Sequence, residues 1–362
     1  MGTCMRNLTR FVWVWGCLAM ILTAGQAYAV NCLWVNAGAG NWAEVNNWNA
    51  TVPTVDDRAV MELGGTANIS SGTAAVSNWL RNQSGTINLE GSYYVRGRDW
   101  VSFLGTGQIN DVIPVGTVGT LNMYTGSSFT TGQAGYPGLV YSFNVGGLYH
   151  DSSNGGTGYF NQYGGTATFQ YLTEGAAYHM GKGFVIGQSG DGEWLGVGGL
   201  GVYTISGGAL SILDTAVWIG APDRQGYADG GTGTLKVVGT GPSSISINGG
   251  NVHLGHGSQS KIVAAIDATG LTPIVVTNSA SIDITAGSIL QVDDLGAAAG
   301  TYTVMSWNPG VTTLTDGGLV LSAPAGWSMN VGAGELTVTL VPEPATISLI
   351  VMGGLALLRR RK

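Results

Sequence analysis

Paired carboxylates are the residues of this sequence best suited to catalysis. Polysaccharide hydrolases use two carboxyl groups about 5–10 Å apart, and polysaccharide lyases use carboxylates that hold Ca²⁺ together with a Lys or Arg base. The candidate acids are Asp56-Asp57, Asp293-Asp294, Asp191/Glu193 and Asp223/Asp229. The cations between residues 115 and 290 are Lys182, Arg224, Lys236 and Lys261. Adjacent residues of a strand point to opposite faces, so a tandem pair holds one ligand only if it lies in a turn. We therefore predict no catalytic residue, and a polysaccharide lyase or hydrolase is the alternative.

Histidines and Asp-rich loops are the candidate metal ligands. The histidines are His150, His179, His253 and His256, and the loops are 151–155 and 189–193. A structural zinc site has four ligands, but His253 and His256 have no cysteine or third close ligand beside them, so these side chains are expected to face solvent. The loops contain the oxygen ligands that Ca²⁺ takes, and Asx turns explain the same residues. We predict no metal site and no cofactor, with a structural Ca²⁺ as the open alternative.

The last 22 residues form three consecutive parts. They are Val341, Pro342, Glu343, Pro344, Ala345 and Thr346, then the apolar run 347–358, then Arg359, Arg360, Arg361 and Lys362. The prolines favour an extended, accessible segment. The apolar run is shorter than the roughly 20 residues of a helix that spans a bilayer, and the cations favour the cytoplasmic side. Together the parts predict a short handle that a membrane enzyme recognises and cuts.

This arrangement resembles the PEP-CTERM sorting signal of bacterial exported proteins. The resemblance implies processing by an exosortase, a transient inner-membrane intermediate, and delivery to the surface or extracellular matrix of a Gram-negative bacterium. The N-terminus agrees, because Arg6 and Arg10 precede an apolar run, and Ala27 and Ala29 stand at the positions of a signal-peptide cleavage site. We therefore expect export by the Sec machinery and cleavage after Ala29.

The composition of the body between these ends limits its partners. Residues 30–340 keep eight of the 14 Lys and Arg and 20 of the 21 Asp and Glu, so their net charge is near −12. Such an acidic surface argues against binding to nucleic acid or to anionic lipid. Cys32 is the one cysteine of this body, which excludes an intramolecular disulfide. The 61 glycines, with many threonines and serines, favour short strands joined by tight turns.

An internal repeat is visible between residues 115 and 290. Its first landmark is an apolar residue followed by glycine, and its second is a glycine that begins a strand-like run. The first occurs at Val145-Gly146, Ile186-Gly187, Ile219-Gly220 and Leu254-Gly255, and the second at Gly158, Gly201 and Gly233, with Gly119 as a candidate earlier copy. The step from first to second landmark is 12, 14 and 13 residues, which indicates equivalent strands. The glycine pairs Gly164-Gly165 and Gly207-Gly208 are expected to turn the chain with φ > 0.

Short strands at such spacing, with no amphipathic helical period, predict an all-β parallel β-helix. The repeats resemble the autotransporter-associated β-strand repeat, with a pattern near IG…GTGTxNxxGG, which implies right-handed coiling. The segment Gly38-Ala39-Gly40-Asn41-Trp42 and the residues after it resemble the opening of secreted proteins with such repeats. We expect Trp34, Trp42 and Trp48 to form an aromatic cap on the first coil; stacking on sugar rings is their alternative role.

The predicted domains follow from these features. They are a signal peptide over 1–29, a cap with the first β coils over 30–114, β-helix repeats over 115–295, a C-terminal β cap over 296–340, and the sorting signal over 341–362. Three strands, 301–305, 318–321 and 335–340, are expected to pair antiparallel and to shield the last edge of the solenoid.

The expected role is structural or adhesive, with weak repeated contacts to exopolysaccharide or other glycans. Ice binding is a lesser alternative, because flat β-helix faces with threonine rows can order water. Thr166-Ala167-Thr168 and Thr337-Val338-Thr339 have the local form, but they do not recur once per coil, so no threonine ladder is predicted.

Overall fold

The computed structural model describes residues 30–97, 102–106, 117–132, 142–147, 156–170, 172, 183–187, 199–220, 231–255, 260–279 and 281–341. The first ten strands are β1 (Asn31–Leu33), β2 (Ala39–Asn41), β3 (Arg58–Met61), β4 (Thr66–Ile69), β5 (Ala74–Ser77), β6 (Trp79–Asn82), β7 (Thr86–Leu89), β8 (Ser92–Val95), β9 (Ser102–Thr106) and β10 (Val118–Met123). The next ten are β11 (Ser128–Thr131), β12 (Phe143–Gly147), β13 (Thr157–Gln162), β14 (Thr166–Gln170), β15 (Phe184–Ile186), β16 (Leu200–Ile205), β17 (Gly208–Leu213), β18 (Val217–Ile219), β19 (Thr232–Val238) and β20 (Pro242–Asn248). The last ten are β21 (Val252–Leu254), β22 (Ser260–Asp267), β23 (Ile274–Thr277), β24 (Ser281–Ile284), β25 (Ile289–Leu295), β26 (Gly300–Trp307), β27 (Thr313–Asp316), β28 (Val320–Ser322), β29 (Trp327–Val331) and β30 (Glu335–Leu340).

These strands form three ten-stranded sheets, and the chain visits the sheets in turn. The first sheet has the order β1-β3-β6-β9-β12-β15-β18-β21-β24-β27, and the second has β2-β4-β7-β10-β13-β16-β19-β22-β25-β28. The third has β5-β8-β11-β14-β17-β20-β23-β26-β30-β29. Strand pairs between successive coils are parallel, for example β10 with β13 and β13 with β16. This is the predicted parallel β-helix.

The core is a set of columns of inward side chains along the solenoid axis. Strand residues alternate between buried and partly exposed, as in β10 and β13. In one coil the three sheets each supply a phenylalanine: Phe143, Phe160 and Phe169, whose ring centroids lie 5.3–6.5 Å apart. The three faces therefore meet at the axis, where the core is mainly apolar and also holds a few buried polar side chains such as Gln162.

The two glycine landmarks are explained by a contact that recurs within four successive coils. Gly146, with φ of 70°, is the last residue but one of β12 in the first sheet, and Gly158 is the second residue of β13 in the second sheet. A Cβ at Gly158 would overlap the backbone nitrogen of Gly146. The pairs Gly105/Gly119, Gly187/Gly201 and Gly220/Gly233 make the same contact, and Gly119 pairs with Gly158, as expected for an earlier copy. The landmark spacing is nearly constant because the two glycines must touch.

The second glycine of each pair has the predicted positive φ, and the irregular third copy has a structural cause. Gly165 and Gly208 have φ of 72° and 75°. Where the next copy has Gly239-Thr240-Gly241, Gly208 pairs with Pro242 and Ala209 pairs with Ser244. The register shift is a β-bulge, which accommodates the extra residue of β20.

The tryptophans of the first coil form the predicted aromatic cap. Residues 42–57 contain the 3₁₀ turn Val45–Asn47 between β2 and β3. Trp48 packs against Trp34 at 5.2 Å and against Trp42 at 4.7 Å, and Trp42 reaches Tyr93 at 5.0 Å. The exposed fractions of the three tryptophans are 0–4%. Their rings therefore fill the end of the core, and the sugar-stacking alternative does not hold for them.

The C-terminal end corrects the sequence prediction in two ways. Parallel coils continue past residue 295, because β28 (Val320–Ser322) pairs in parallel with β25 and does not join an antiparallel cap. The antiparallel partners are β26 and β30, and β30 also pairs with β29, a strand that the sequence did not predict. Residues 318–321 have the alternating pattern of a strand. This pattern is the same whether the strand pairs in parallel or antiparallel, so it does not separate a coil strand from a cap strand.

Candidate functional site

The predicted processing residues lie almost wholly outside the described part of the chain. These are Ala27, Ala29, Pro342, Glu343, Pro344, Ala345, Thr346, Arg359, Arg360 and Arg361. Val341 is described: it is 54% exposed, and its N–H donates to the carbonyl of Gly326 at 2.9 Å. The last strand ends at Leu340, which is the predicted end of the cap. Among the described residues, no helix has the length and apolar character needed to cross a membrane.

The pair Asp56-Asp57 lies in a turn, but its two carboxylates have separate structural partners. Asp57 accepts hydrogen bonds from the N–H and hydroxyl of Thr54 at 3.0 and 2.6 Å and from the N–H of Val30 at 3.1 Å. Asp56 pairs with Arg96 at 2.8 Å. The pair fixes the entry of the chain into the second coil and does not hold one ligand between its carboxylates.

The pair Asp293-Asp294 is divided in the same way. Asp293 bonds Lys236 Nζ at 2.8 Å and Gln291 Nε2 at 2.7 Å. Partial burial raises the pKa of Asp293, but these hydrogen bonds outweigh it, so that the pKa is lowered. Asp294 accepts the N–H groups of Ala297 and Gly296, both at 2.9 Å, and the backbone bonds lower its pKa. As predicted, the tandem acids serve different partners.

His253 is the one predicted histidine that lies in the described part of the chain, and it belongs to a cluster. Its ring stacks on Trp218 at 3.8 Å, and its Nδ1 lies 3.1 Å from Asp283 Oδ2. The hydroxyl of Ser281 donates to the same carboxylate oxygen at 2.8 Å. The imidazole faces outward from the sheet, as expected, but these neighbours leave only 17% of it exposed. Trp218, His253 and Asp283 stand on the outer side of successive strands of the first sheet.

The other metal-ligand candidates are not described. His150, His179, His256, Asp191, Glu193, Asp223 and Asp229 lie outside the described residues. Within the described ranges, no three or more His, Cys, Asp or Glu residues are grouped as a metal site would require.

The second sheet carries a row of asparagines on its outer face, which the sequence analysis did not identify. Asn68, Asn88, Asn122 and Asn161 are paired in register on β4, β7, β10 and β13. The amide nitrogens of Asn88, Asn122 and Asn161 each donate to the amide oxygen of the asparagine one coil earlier, at 2.9, 3.0 and 3.0 Å. The hydrogen bonds hold the amides in one orientation along the solenoid axis.

Tyrosines flank this row. Tyr124 and Tyr163 follow Asn122 and Asn161 by two residues, and their rings stack on each other with centroids 5.6 Å apart. They are 36% and 50% exposed. Tyr159 lies on the outer side of β13, two residues before Asn161. We call these four asparagines and three tyrosines the amide–tyrosine face.

The third sheet has an outer column of hydroxyl groups. Thr130, Thr168, Ser211 and Ser246 are paired in register on β11, β14, β17 and β20. Thr168 of the predicted Thr166-Ala167-Thr168 segment thus belongs to a hydroxyl column over four coils, but only two of its members are threonines, and Tyr94 and Val275 stand at its two ends. The column mixes serine with threonine, which concealed it in the sequence. Thr337 and Thr339 are in β30 of the antiparallel cap and do not join it.

A sequence signal for the amide–tyrosine face exists. Thr-x-Asn occurs at 66–68, 86–88 and 120–122, and Tyr159-Phe160-Asn161 follows the same form. The bonded asparagines are 20, 34 and 39 residues apart. This uneven spacing hides the row from a search for a constant period.

Comparison with protein-family models, with curated proteins and with solved structures finds no match. Function must therefore be argued from the chain's own residues.

Proposed function

We propose that this chain is an exported structural or adhesive protein that contacts glycans in a bacterial cell envelope or exopolysaccharide matrix. The observation that carries the proposal is the amide–tyrosine face, a fixed array of polar amides beside exposed aromatic rings. Sugars offer hydroxyl groups to amides and C–H faces to aromatic rings. A β-helix face is rigid before binding, so few side chains need to be ordered when a ligand binds.

Export and sorting are the second part of the proposal. The Sec machinery exports the chain, the signal peptide 1–29 is cleaved after Ala29, and an exosortase cuts near Pro342-Glu343-Pro344 after a transient stay in the inner membrane. The support is the agreement between the predicted motif and the end of the last strand at Leu340, with the exposed Val341 directly after it. A protease therefore meets its motif next to a finished domain.

Intact mass of the protein from its native host tests sorting. A variant with Pro342, Glu343 and Pro344 changed to alanine is the comparison, and a variant with Pro309 changed to alanine is the control for loss of a proline. We expect the wild type and the control to have lost both ends, and the triple variant to keep its tail in the membrane fraction. A native form that still carries Lys362 would overturn the sorting proposal.

Retention of the host's own exopolysaccharide tests the glycan role. The purified full chain is mixed with that polymer and sedimented, and co-sedimentation is expected. If the chain stays in the supernatant at every polymer concentration, the adhesive role is wrong.

A polysaccharide lyase or hydrolase is the second candidate function. The observation that favours it is the cluster of Trp218, His253 and Asp283, an aromatic ring with a paired imidazole and carboxylate on successive coils. Release of reducing ends or unsaturated uronates from a polysaccharide panel, abolished by His253→Ala, would establish it. Binding without product release would leave the adhesive role as the better account.

A further inference from the structure

The bonding capacity of the asparagine row is only partly used by the row itself. A side-chain amide has two N–H donors and an oxygen with two lone pairs. In the row, Asn88 and Asn122 each use one donor and one lone pair on their neighbours. A second donor and a second lone pair remain at each of these amides, held in a repeating direction. Such an array suits a ligand that itself repeats along a line.

The spacing of the row points to a polymer that lies along the solenoid axis. Neighbouring strands of a sheet are about 4.8 Å apart, so one amide is offered at each such step. A sugar residue in an extended chain advances by a similar distance. A chain parallel to the axis can therefore meet one amide per sugar, whereas a chain across the strands meets different side chains in each coil.

The charge of the face selects the class of polymer. On the outward positions of β4, β7, β10 and β13 and the residues that directly follow them, Glu90 is the one charged side chain. The body as a whole is acidic, with 20 acidic and eight basic residues over 30–340. An anionic polysaccharide would meet no cation on this face, so its charges would be unpaired and repelled.

We propose that the amide–tyrosine face binds a neutral, extended polysaccharide along the solenoid axis, with its hydroxyl groups on Asn88 and Asn122 and its sugar rings on Tyr124 and Tyr163. This inference rests on the proposed glycan-contacting function and assigns its site, ligand class and direction. Because no charge is paired, binding is insensitive to salt.

Affinity electrophoresis of the full chain tests the site. The gels contain a soluble neutral β-glucan, dextran, a galactomannan or alginate, and binding is measured at about 0.05 and 0.5 M NaCl. We expect retardation by at least one neutral polymer at both salt concentrations and none by alginate. Changing both Tyr124 and Tyr163 to alanine is expected to raise the dissociation constant about tenfold, equivalent to about 1.4 kcal/mol, because both ring contacts with the sugar are lost.

Two matched variants separate binding from folding. Tyr124→Phe with Tyr163→Phe keeps the rings and is expected to retain most of the binding. Tyr94→Ala removes an outward tyrosine of the third sheet and is expected to leave binding unchanged. All variants are compared by thermal unfolding, so that a loss of fold is seen directly.

The outcomes distinguish this inference from the function on which it rests. If a neutral polymer is bound equally well by the alanine variant, the site is wrong and the glycan role stands. If alginate alone is bound, the ligand class is wrong. If neither the panel nor the host exopolysaccharide is bound, both the site and the proposed function fall.

Discussion

Cys32 has its thiol wholly inside the first coil, near the carboxylate of Asp57. Burial, and next the negative charge of Asp57, raise the pKa of this thiol from 9.0 to about 11. The native chain therefore keeps the proton in a pH range where the unfolded chain loses it. The free energy of unfolding is expected to fall between about pH 9 and 11, by roughly 2–3 kcal/mol from this group.

Urea unfolding at about pH 7.5 and 10.5 measures this effect. The buried Tyr93 and Tyr203 also have raised pKa values. The contribution of Cys32 is therefore the difference between wild type and Cys32→Ala in the free energy of unfolding lost at high pH. The variant is expected to lose less stability on going to high pH. An equal loss in both chains would contradict the assignment.

As a check on access, Leu63→Cys adds a thiol at a 65% exposed position, and this thiol should react with a thiol reagent far faster than native Cys32.

Tyr203 and Gln162 form a polar pair inside the apolar core. The phenol donates to Gln162 Oε1 at 2.6 Å, and both side chains are fully buried. Tyr203→Phe is expected to cost about 1–3 kcal/mol, because it leaves the amide oxygen unpaired away from water. Chemical unfolding measures the loss.

Tyr93→Phe is the matched control for this pair. Tyr93 is also buried, but its hydroxyl bonds Ser77 Oγ at 2.9 Å, and a serine hydroxyl can rotate to another partner. We expect a smaller loss for Tyr93→Phe than for Tyr203→Phe. The reverse order would show that the buried amide has a partner other than Tyr203.

At the scale of the elements, four successive coils are each closed by a glycine–glycine contact. In Gly158→Ala the new Cβ would overlap the backbone of Gly146 and Leu104. Since backbone atoms cannot rotate away, we expect a loss of about 3 kcal/mol or more, measured by thermal or urea unfolding.

Two other glycines separate crowding from backbone strain. Gly126 has φ of 83° with open space around its Cβ position, so Gly126→Ala is expected to cost about 1–2 kcal/mol from the left-handed backbone alone. A Cβ at Gly38 would lie 3.4 Å from Asn36 Oδ1, an ordinary contact, and Gly38→Ala should change little. Similar losses at all three positions would refute the role of the contact.

The asparagine row predicts that the loss of stability increases with the number of amide hydrogen bonds removed. Asn122 shares two amide hydrogen bonds, with Asn88 and Asn161, whereas Asn161 shares one, with Asn122. At about 0.5–1.5 kcal/mol for each bond, Asn122→Ala should destabilise about twice as much as Asn161→Ala. Equal losses in urea unfolding would mean that the bonds contribute little beyond orientation.

The sequence predicted the β-helix architecture better than it predicted which side chains line up on the outer faces of the sheets. The glycines at 146, 158, 187 and 201 revealed the coils because a backbone contact fixes both their residue type and their spacing. The first three coils were less visible, since they lack this pair of landmarks, and β28 was misassigned because alternation does not encode strand direction. The asparagine row and the hydroxyl column escaped because an outer position tolerates Asn, Thr or Ser and because the lengths between coils differ. Asp56 and Asp293 also contact residues that are far away in the sequence, and no local sequence pattern predicts such contacts.

At the scale of the whole molecule, the β-helix is a stack in which each coil contacts chiefly its neighbours, so its ends need separate protection. The tryptophans cover the core of the first coil. At the other end, β30 pairs antiparallel with β26 and is itself covered by β29, a strand of five residues. Short terminal strands reduce the edge that a second chain could extend.

Release of this cap should convert the solenoid into an associating molecule. Val338 of β30 is fully buried and pairs with Tyr302 of β26, so Val338→Lys places a charge in the core and is expected to detach β29 and β30. The edge of β26 that pairs with β30 over residues 300–306 would then be open, in a strand that contains the apolar Met305 and Trp307. Light scattering should show concentration-dependent association, and proteolysis should begin between residues 323 and 341. Thr339→Lys, at a partly exposed position of the same strand, should remain monomeric and resistant. If Val338→Lys behaves like this control, the antiparallel strands are not what keeps the end of the solenoid from self-association, and the turns after β27 and β28 would have to do so.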